Sequence, residues 1–218
     1  MKPPQPYHLL QQQLWLSAER CIFWENTRML LVSDLHFGKS GHFRKEGIGI
    51  PQAVFRNDLR RLTHSITFFK PDALLIIGDF FHSCYNKEVA LFEKWRSDMH
   101  WLPIHLVQGN HDVLPEQWYA AQNIAVHKNH LEVGPFTFVH EWHPEAAAKG
   151  SYYFSGHVHP GIRLQGAGKQ SMRLPCFYFG AQHAIMPAFG GFTGLHTLRP
   201  KKGDAVFAIV NHNVVALQ

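Results

Sequence analysis

Cysteine is scarce in this chain. Only three of 218 residues are Cys (Cys21, Cys84 and Cys176). They are far apart and show no Cys-x-x-Cys spacing, which excludes a disulfide framework and fits a reducing cytosol. Long apolar runs are missing too. The longest, Ala73–Ile77, falls far short of the ~20 residues that a membrane-spanning helix needs. The stretch from Met1 to Gln13 is polar and Pro-rich and lacks the apolar h-region of a signal peptide, so a cytoplasmic protein is expected. The Pro3-Pro4-Gln5-Pro6 start reads as a frayed lead-in. No internal repeat or low-complexity segment stands out. Charged residues make up 17% and hydrophobic residues 45%, an ordinary globular balance rather than a disordered one. The length suits a single domain over 1–218.

Histidine, by contrast, is abundant at 17 residues, which points to metal or proton chemistry. The net charge of +5 is compatible with polyanionic partners without requiring them. Apolar runs bounded by Gly, Asp or Asn predict buried strands at Met29–Ser33, Ala73–Ile77, Ile104–Val107 and Phe136–Val139. Shorter candidates are Cys21–Trp24, Tyr152–Phe154, Cys176–Phe179, Ala205–Val210 and Val214–Leu217. After Pro51, the residues Phe55, Leu59, Leu62 and Ile66 step at helical spacing. A second helix is expected over Lys87–Trp101, with Val89, Phe92, Trp95 and Met99 as its apolar stripe. Strands and helices alternate in the first half, and short strands dominate the second. An α/β fold of two packed sheets is the expectation.

Five polar clusters stand at the ends of apolar runs: Asp34-Leu35-His36, Gly78-Asp79, Gly109-Asn110-His111-Asp112, His140, and Gly156-His157-Val158-His159. In an extended segment residues two apart face the same side, so Asp34 with His36 can reach one ion, and His157 with His159 can serve two neighbouring ions. A carboxylate that ends a buried strand needs a partner or a metal, and Asp79 is the candidate to bridge two cations. Asn110 offers a neutral oxygen, and His111 beside it can face the substrate as a proton donor. Each cluster alone has an ordinary structural explanation, such as a turn or a hydrogen-bonded core histidine. Imidazole mixed with carboxylate and amide oxygen, without thiolate, suits Mn, Fe, Zn, Ni or Co and argues against Ca or Mg alone. Two divalent transition-metal ions are expected, with Mn first among them.

The series resembles the calcineurin-like metallophosphoesterases. That resemblance implies a two-sheet α/β/β/α sandwich with helices on the outer faces. It implies one metal on Asp34, His36, Asp79 and His159, a second on Asp79, Asn110, His140 and His157, and His111 as the protonating residue. Asp34–Lys39 with Phe43-Arg44 and Gly47, and Gly78–Ser83, are similar to the bacterial DNA-ligase-associated metallophosphoesterases, described as DNA damage response endonucleases or phosphodiesterases. Arg173–Phe177 and Met186–Gly194 resemble that group's C-terminal signature. Ser33 stands where Ala is expected in many relatives. His82-Ser83 departs from the Asp-Arg pair of Ser/Thr phosphatases, and His111 from the Arg of lipid A precursor hydrolases.

The implied activity is hydrolysis of a phosphodiester, with DNA the expected substrate. A functional link to an ATP-dependent DNA ligase and a helicase follows from the group's name. On this reading His82 orients His111 or touches phosphate, and Lys39 and Arg44 hold a flanking phosphate. Two alternatives stay open: a phosphodiesterase or phosphatase acting on a small molecule, and a catalytically silent interaction scaffold. Oligomeric state is open as well, because apolar residues near Trp142 or Phe189 suit a site lining or a dimer contact equally.

Overall fold

In Met29–Ser33 and Ala73–Ile77 the side chains are apolar or small at nearly every position, because both faces of these strands are covered. Leu30, Val32, Leu74 and Ile76 point into one core with the helices. Met29, Leu31, Leu75 and Ile77 point into a second core with the other sheet. A fully buried strand cannot alternate apolar with polar, so these two read as continuous hydrophobic runs. The computed structural model of the protein describes residues 2–39, 53–82, 85–146, 150–166, 168 and 170–217.

The first sheet has seven strands in sequence order: β1 (Gln5–Leu9), β2 (Gln12–Ser17), β3 (Cys21–Trp24), β4 (Met29–Ser33), β5 (Ala73–Ile77), β6 (Ile104–Val107) and β7 (Ile124–His127). The β1 to β4 steps are antiparallel and the β4 to β7 steps are parallel. The second sheet joins β8 (His130–Val133), β9 (Phe136–Val139), β10 (Tyr152–Ser155), β11 (Pro160–Gln165), β12 (Ser171–Phe179), β13 (His183–Ile185), β14 (His196–Thr197), β15 (Ala205–Val210) and β16 (Asn213–Ala216). Strands β9, β10 and β13 run parallel to one another.

Helix α1 (Ala53–Phe69) buries Phe55, Leu62 and Ile66 at the spacing anticipated. Helix α2 (Lys87–Asp98) starts at Asn86, whose side chain accepts the Glu88 and Val89 N–H groups and so satisfies two of the four orphan donors. A third helix, α3 (Glu116–Ala121), is too short to show a period in the sequence. Its Tyr119 joins the same core as α1 and α2. The architecture is therefore the two-sheet α/β sandwich expected. Among the described residues, all three α-helices pack their apolar side chains on the first sheet.

Two expectations change. The chain start is not frayed: Gln5–Leu9 pairs with Gln12–Ser17 across a tight turn at Leu10 and Gln11, both at positive φ. Pro6 is tolerated because β1 is an edge strand, and Tyr7 packs on Phe179 of the other sheet at 4.3 Å between ring centroids. Leu-Gln carries none of the usual Asn-Gly chemistry of such a turn, so the hairpin left no local signal. Phe189 is not a surface residue but fully buried in the first core. No helix among the described residues is long and apolar enough to cross a membrane.

Each polar cluster begins within two residues of a strand end: Asp34 after β4, Gly78 after β5, Gly109 two residues after β6, His140 after β9 and Gly156 after β10. The carboxyl ends of strands from both sheets thus meet at one place, where ligand sites of open α/β sheets form.

Burial also fixes the thiols. It pushes the Cys21 thiol up to about 11 and the Cys176 thiol up to about 12. Thiolate is the reactive form, and raising an acid's pKa above the working pH leaves almost none. At pH 8 neither residue should react with iodoacetamide in the native protein, and both should react after denaturation, as read by peptide mass mapping. Labelling of either at the denatured rate would contradict this packing.

Candidate metal centre

The convergence of the clusters does not come from extended backbone. Asp34, His36, Asp79, His157 and His159 all have φ between 41° and 63°, the left-handed region. Asp and His enter that region more readily than most side chains, yet each such residue still costs on the order of 1 kcal/mol. Sharp turns, rather than the two-residue period of a strand, bring Asp34 beside His36 and separate His157 from His159. Backbone bonds hold them: Asp34 N–H donates to Gly78 O (3.2 Å), His36 N–H to Asp79 O (2.9 Å) and Gly156 N–H to His140 O (3.1 Å).

Two groups of donors result. Asp34, His36 and His159 form one; Asp79, His140 and His157 form the other, and within each the ligand atoms lie within 4.8 Å of one another. In the first, His36 Nε2 is 3.1 Å from His159 Nε2, and His159 Nε2 is 3.8 Å from Asp34 Oδ1. In the second, His140 Nε2 is 2.9 Å from Asn110 Oδ1 and 3.0 Å from His157 Nδ1. Donors about 2.1 Å from one ion at tetrahedral to octahedral angles are ~3 to 3.4 Å apart, so both groups have the spacing of a coordination shell. Asp79 spans them. Its Oδ2 is 3.8 Å from His36 Nε2, and its Oδ1 is 3.6 Å from His140 Nε2.

The glycines before the ligands are needed for space. A Cβ on Gly78, itself at φ +72°, would lie 1.8 Å from His140 Nδ1, and one on Gly156 would lie 2.4 Å from Asp34 Oδ2. The His36 and His140 Nδ1 atoms are buried with no hydrogen-bond partner among the described residues, so packing and the contacts of their Nε2 atoms orient those rings. Gly194 O accepts a hydrogen bond from His159, orienting that ring as well.

The electrostatics favour cation binding. Burial above all pushes His36 down to about 2 and His159 down to about 4, and lowers His140. These imidazoles are therefore neutral at pH 7, with lone pairs free to bind. Burial raises the Asp34 carboxyl well above its usual range, although His157 N–H donates to it at 3.1 Å. A buried carboxylate of this kind gains most from a cation.

His111 and His82 stand beside the donors, with ring centroids 4.3 Å apart and nearly stacked, and His36 lies 5.7 Å from His111. His111 N–H donates to Asp79 Oδ1 (3.0 Å), which fixes the loop that carries the ring. Lys39 is close enough to feel Asp79 and Asp34, but burial lowers its ammonium overall. Arg44 lies outside the described residues.

Several supporting residues gave little sign of themselves. Asp112 accepts N–H groups from Phe81 (2.9 Å) and Gly109 (2.8 Å), and so ties the Gly109–Asp112 loop to the Gly78–Phe81 loop. Its place in a four-residue polar cluster was visible, but this bridging role was not. Arg20 donates to Ala188 O and Gly190 O, and Arg61 donates to Phe189 O. These bonds hold the 188–190 backbone against β4, where Phe189 and Gly190 N–H donate to Ser33 and Asp34 O. Contacts across 128 to 170 positions of sequence leave no local pattern.

Residues 27–180 match the family described as calcineurin-like phosphoesterase. The crystal structure of Pseudomonas putida nuclease MPE is similar over 98% of this chain and 100% of that one, with 30% identity and a TM-score of 0.83. Yfce, a phosphoesterase from E. coli, aligns over 86% of this chain and 96% of its own at 14% identity, with a TM-score of 0.45. No curated protein matches the sequence.

The raised Asp34 carboxyl and the depressed imidazoles set a pH dependence. A cation at Asp34 must displace a proton, whereas His36 and His159 hold none above pH 5. Affinity of the metal-free protein for Mn should therefore climb as pH rises above the usual carboxylate range through the raised titration of Asp34, with net proton release seen by calorimetry in buffers of different ionisation enthalpy. An affinity flat across that window, without proton release, would contradict the assignment.

Proposed function

This chain belongs to the calcineurin-like phosphoesterase family, a group of metal-dependent hydrolases, and from that premise we propose that it is a two-metal phosphodiesterase that cuts DNA. The observation that carries the proposal is the pair of donor groups with the Asp79 carboxylate between them. The ligands are Asp34, His36, Asp79 and His159 for one ion, and Asp79, Asn110, His140 and His157 for the other. Likeness along nearly the whole length to Pseudomonas putida nuclease MPE supports a nucleic acid as substrate, and DNA is the one proposed. The donor set suits Mn first, and equally admits Fe, Zn, Ni or Co. A cytoplasmic setting, and a link to ATP-dependent DNA ligase and helicase through the Asp34–Lys39 and Met186–Gly194 signatures, belong to the same proposal.

When bound, such ions supply Lewis acidity toward phosphoryl oxygens and a water of lowered pKa. The rest falls to side chains of this chain. His111 donates a proton to the leaving oxygen at phosphorus, a role worth ~100-fold to 10,000-fold in rate. The His82 ring, lying against it, keeps that imidazole facing the donor groups. Asn110 places its amide oxygen against His140, so its NH2 is left to face a phosphoryl oxygen. Lys39, partly buried beside Asp34 and Asp79, and Arg44 attract the phosphate that flanks the scissile one. A fixed cation in a poorly solvated site stabilises developing charge more than the same cation in water.

The test compares bis-p-nitrophenyl phosphate with p-nitrophenyl phosphate, using metal-stripped protein reloaded with Mn. The diester should be preferred, and His111→Ala should lower kcat by at least about 100-fold. A preference for the monoester would make the protein a phosphatase. Absence of activity with every metal tested would return the interaction-scaffold reading.

A further inference from the structure

Beyond the donor groups, β11, β12 and the segment after β14 enclose a groove of about 730 Å³ lined by Arg163, Arg173, Arg199, Ser171, Thr197 and Gln165, among others. Arg163 and Arg173 are direct cross-strand partners of the antiparallel β11–β12 pair, so their side chains stand on one face. Like charges placed directly opposite destabilise a sheet. Among the described residues none of these three guanidinium groups has a carboxylate within ion-pair distance. Among the described residues Arg163 donates to Ser171 Oγ, at 2.9 Å. All three are exposed. The site therefore concentrates positive charge at a cost to folding and leaves it without a carboxylate partner among the described residues.

The groove lies on strands that leave the centre. Strand β11 begins on the residue after His159. On the other side, His196 N–H donates to His159 O (3.0 Å), and the chain runs on through Thr197 to Arg199. Arg163 is four residues from His159, at most ~14 Å of chain. A nucleic-acid strand, with one phosphate per ~3.4 Å of axis, covers the span in about four nucleotides.

We propose that Arg163, Arg173 and Arg199 form a track for the phosphate backbone of a polynucleotide strand whose scissile phosphate lies at the Asp79 centre. This rests on the phosphodiesterase reading of that centre and adds the surface that holds the strand beyond the scissile phosphate. The contacts are to phosphate alone, so they add affinity and register without sequence preference.

The test uses the full chain loaded with Mn and compares kcat/KM for a labelled single-stranded oligonucleotide with that for bis-p-nitrophenyl phosphate, over a series of KCl concentrations. In the triple variant Arg163→Ala, Arg173→Ala, Arg199→Ala the ratio of the two should fall at least about tenfold at low salt. The slope of log kcat/KM against log salt should flatten by about two for the oligonucleotide. The matching triple Arg→Lys variant keeps the charges and should stay within about threefold of wild type in that ratio. An unchanged ratio and slope in the alanine variant would overturn the proposal, as would a lysine variant as impaired as the alanine one. Wild-type protein that hydrolyses the small diester but no oligonucleotide would overturn the track while leaving the phosphodiesterase reading. Wild type that hydrolyses neither would remove that reading itself.

Discussion

The Asp79 carboxylate faces imidazole on two sides, with Oδ2 3.8 Å from His36 and Oδ1 3.6 Å from His140. Those two histidines come from different sheets, and one buried side chain lies between them. An acidic group in such a place is tolerable only if positive charge comes to it. Histidines that burial has made neutral do not provide that charge. The rest of the site follows from this need. The left-handed turns at Asp34, His36, His157 and His159 aim further donors at the same two spots. The glycines before Asp79 and His157 clear the space those donors occupy.

Strain of this kind persists only where the surroundings over-determine it. Here the surroundings are two cores that share one sheet. Leu31, Leu75 and Ile77 lock β4 and β5 against the second sheet, while Leu30, Val32, Leu74 and Ile76 lock them against the helices. Strands clamped on both faces end at fixed positions, so the loops that leave them start from a rigid edge. Asp112, Arg20 and Arg61 then fasten those loops to one another and to the 188–190 backbone. A site built on rigid strand ends needs little rearrangement when ions and substrate arrive.

The strands and the two long helices could be read from the sequence because their signals are local. An apolar run such as Ala73–Ile77, or the Phe55, Leu59, Leu62, Ile66 series, carries its own period. The site clusters could be read for a different reason: Asp, His and Asn after buried strands are expensive unless they bind something. The backbone that brings them together could not. An extended geometry was the natural inference for Asp34 and His36, and their positive φ values appear only once Gly78 and Asp79 carbonyls are in place as partners. The Gln5–Leu9 strand is hidden by Pro6, by the prolines just before it and by an atypical turn, and exists through pairing with β2 and the contact of Tyr7 with Phe179. The arginine pair on β11 and β12 depends on register, which the sequence does not display.

The central claim is that one carboxylate joins two cations. Electron paramagnetic resonance of the Mn-loaded protein, with metal counted per chain, tests it most directly. The account predicts two Mn per chain and the exchange-coupled spectrum of a bridged pair, replaced by that of isolated Mn in Asp79→Asn. A single Mn per chain in the wild type, or two Mn with uncoupled spectra, would contradict it.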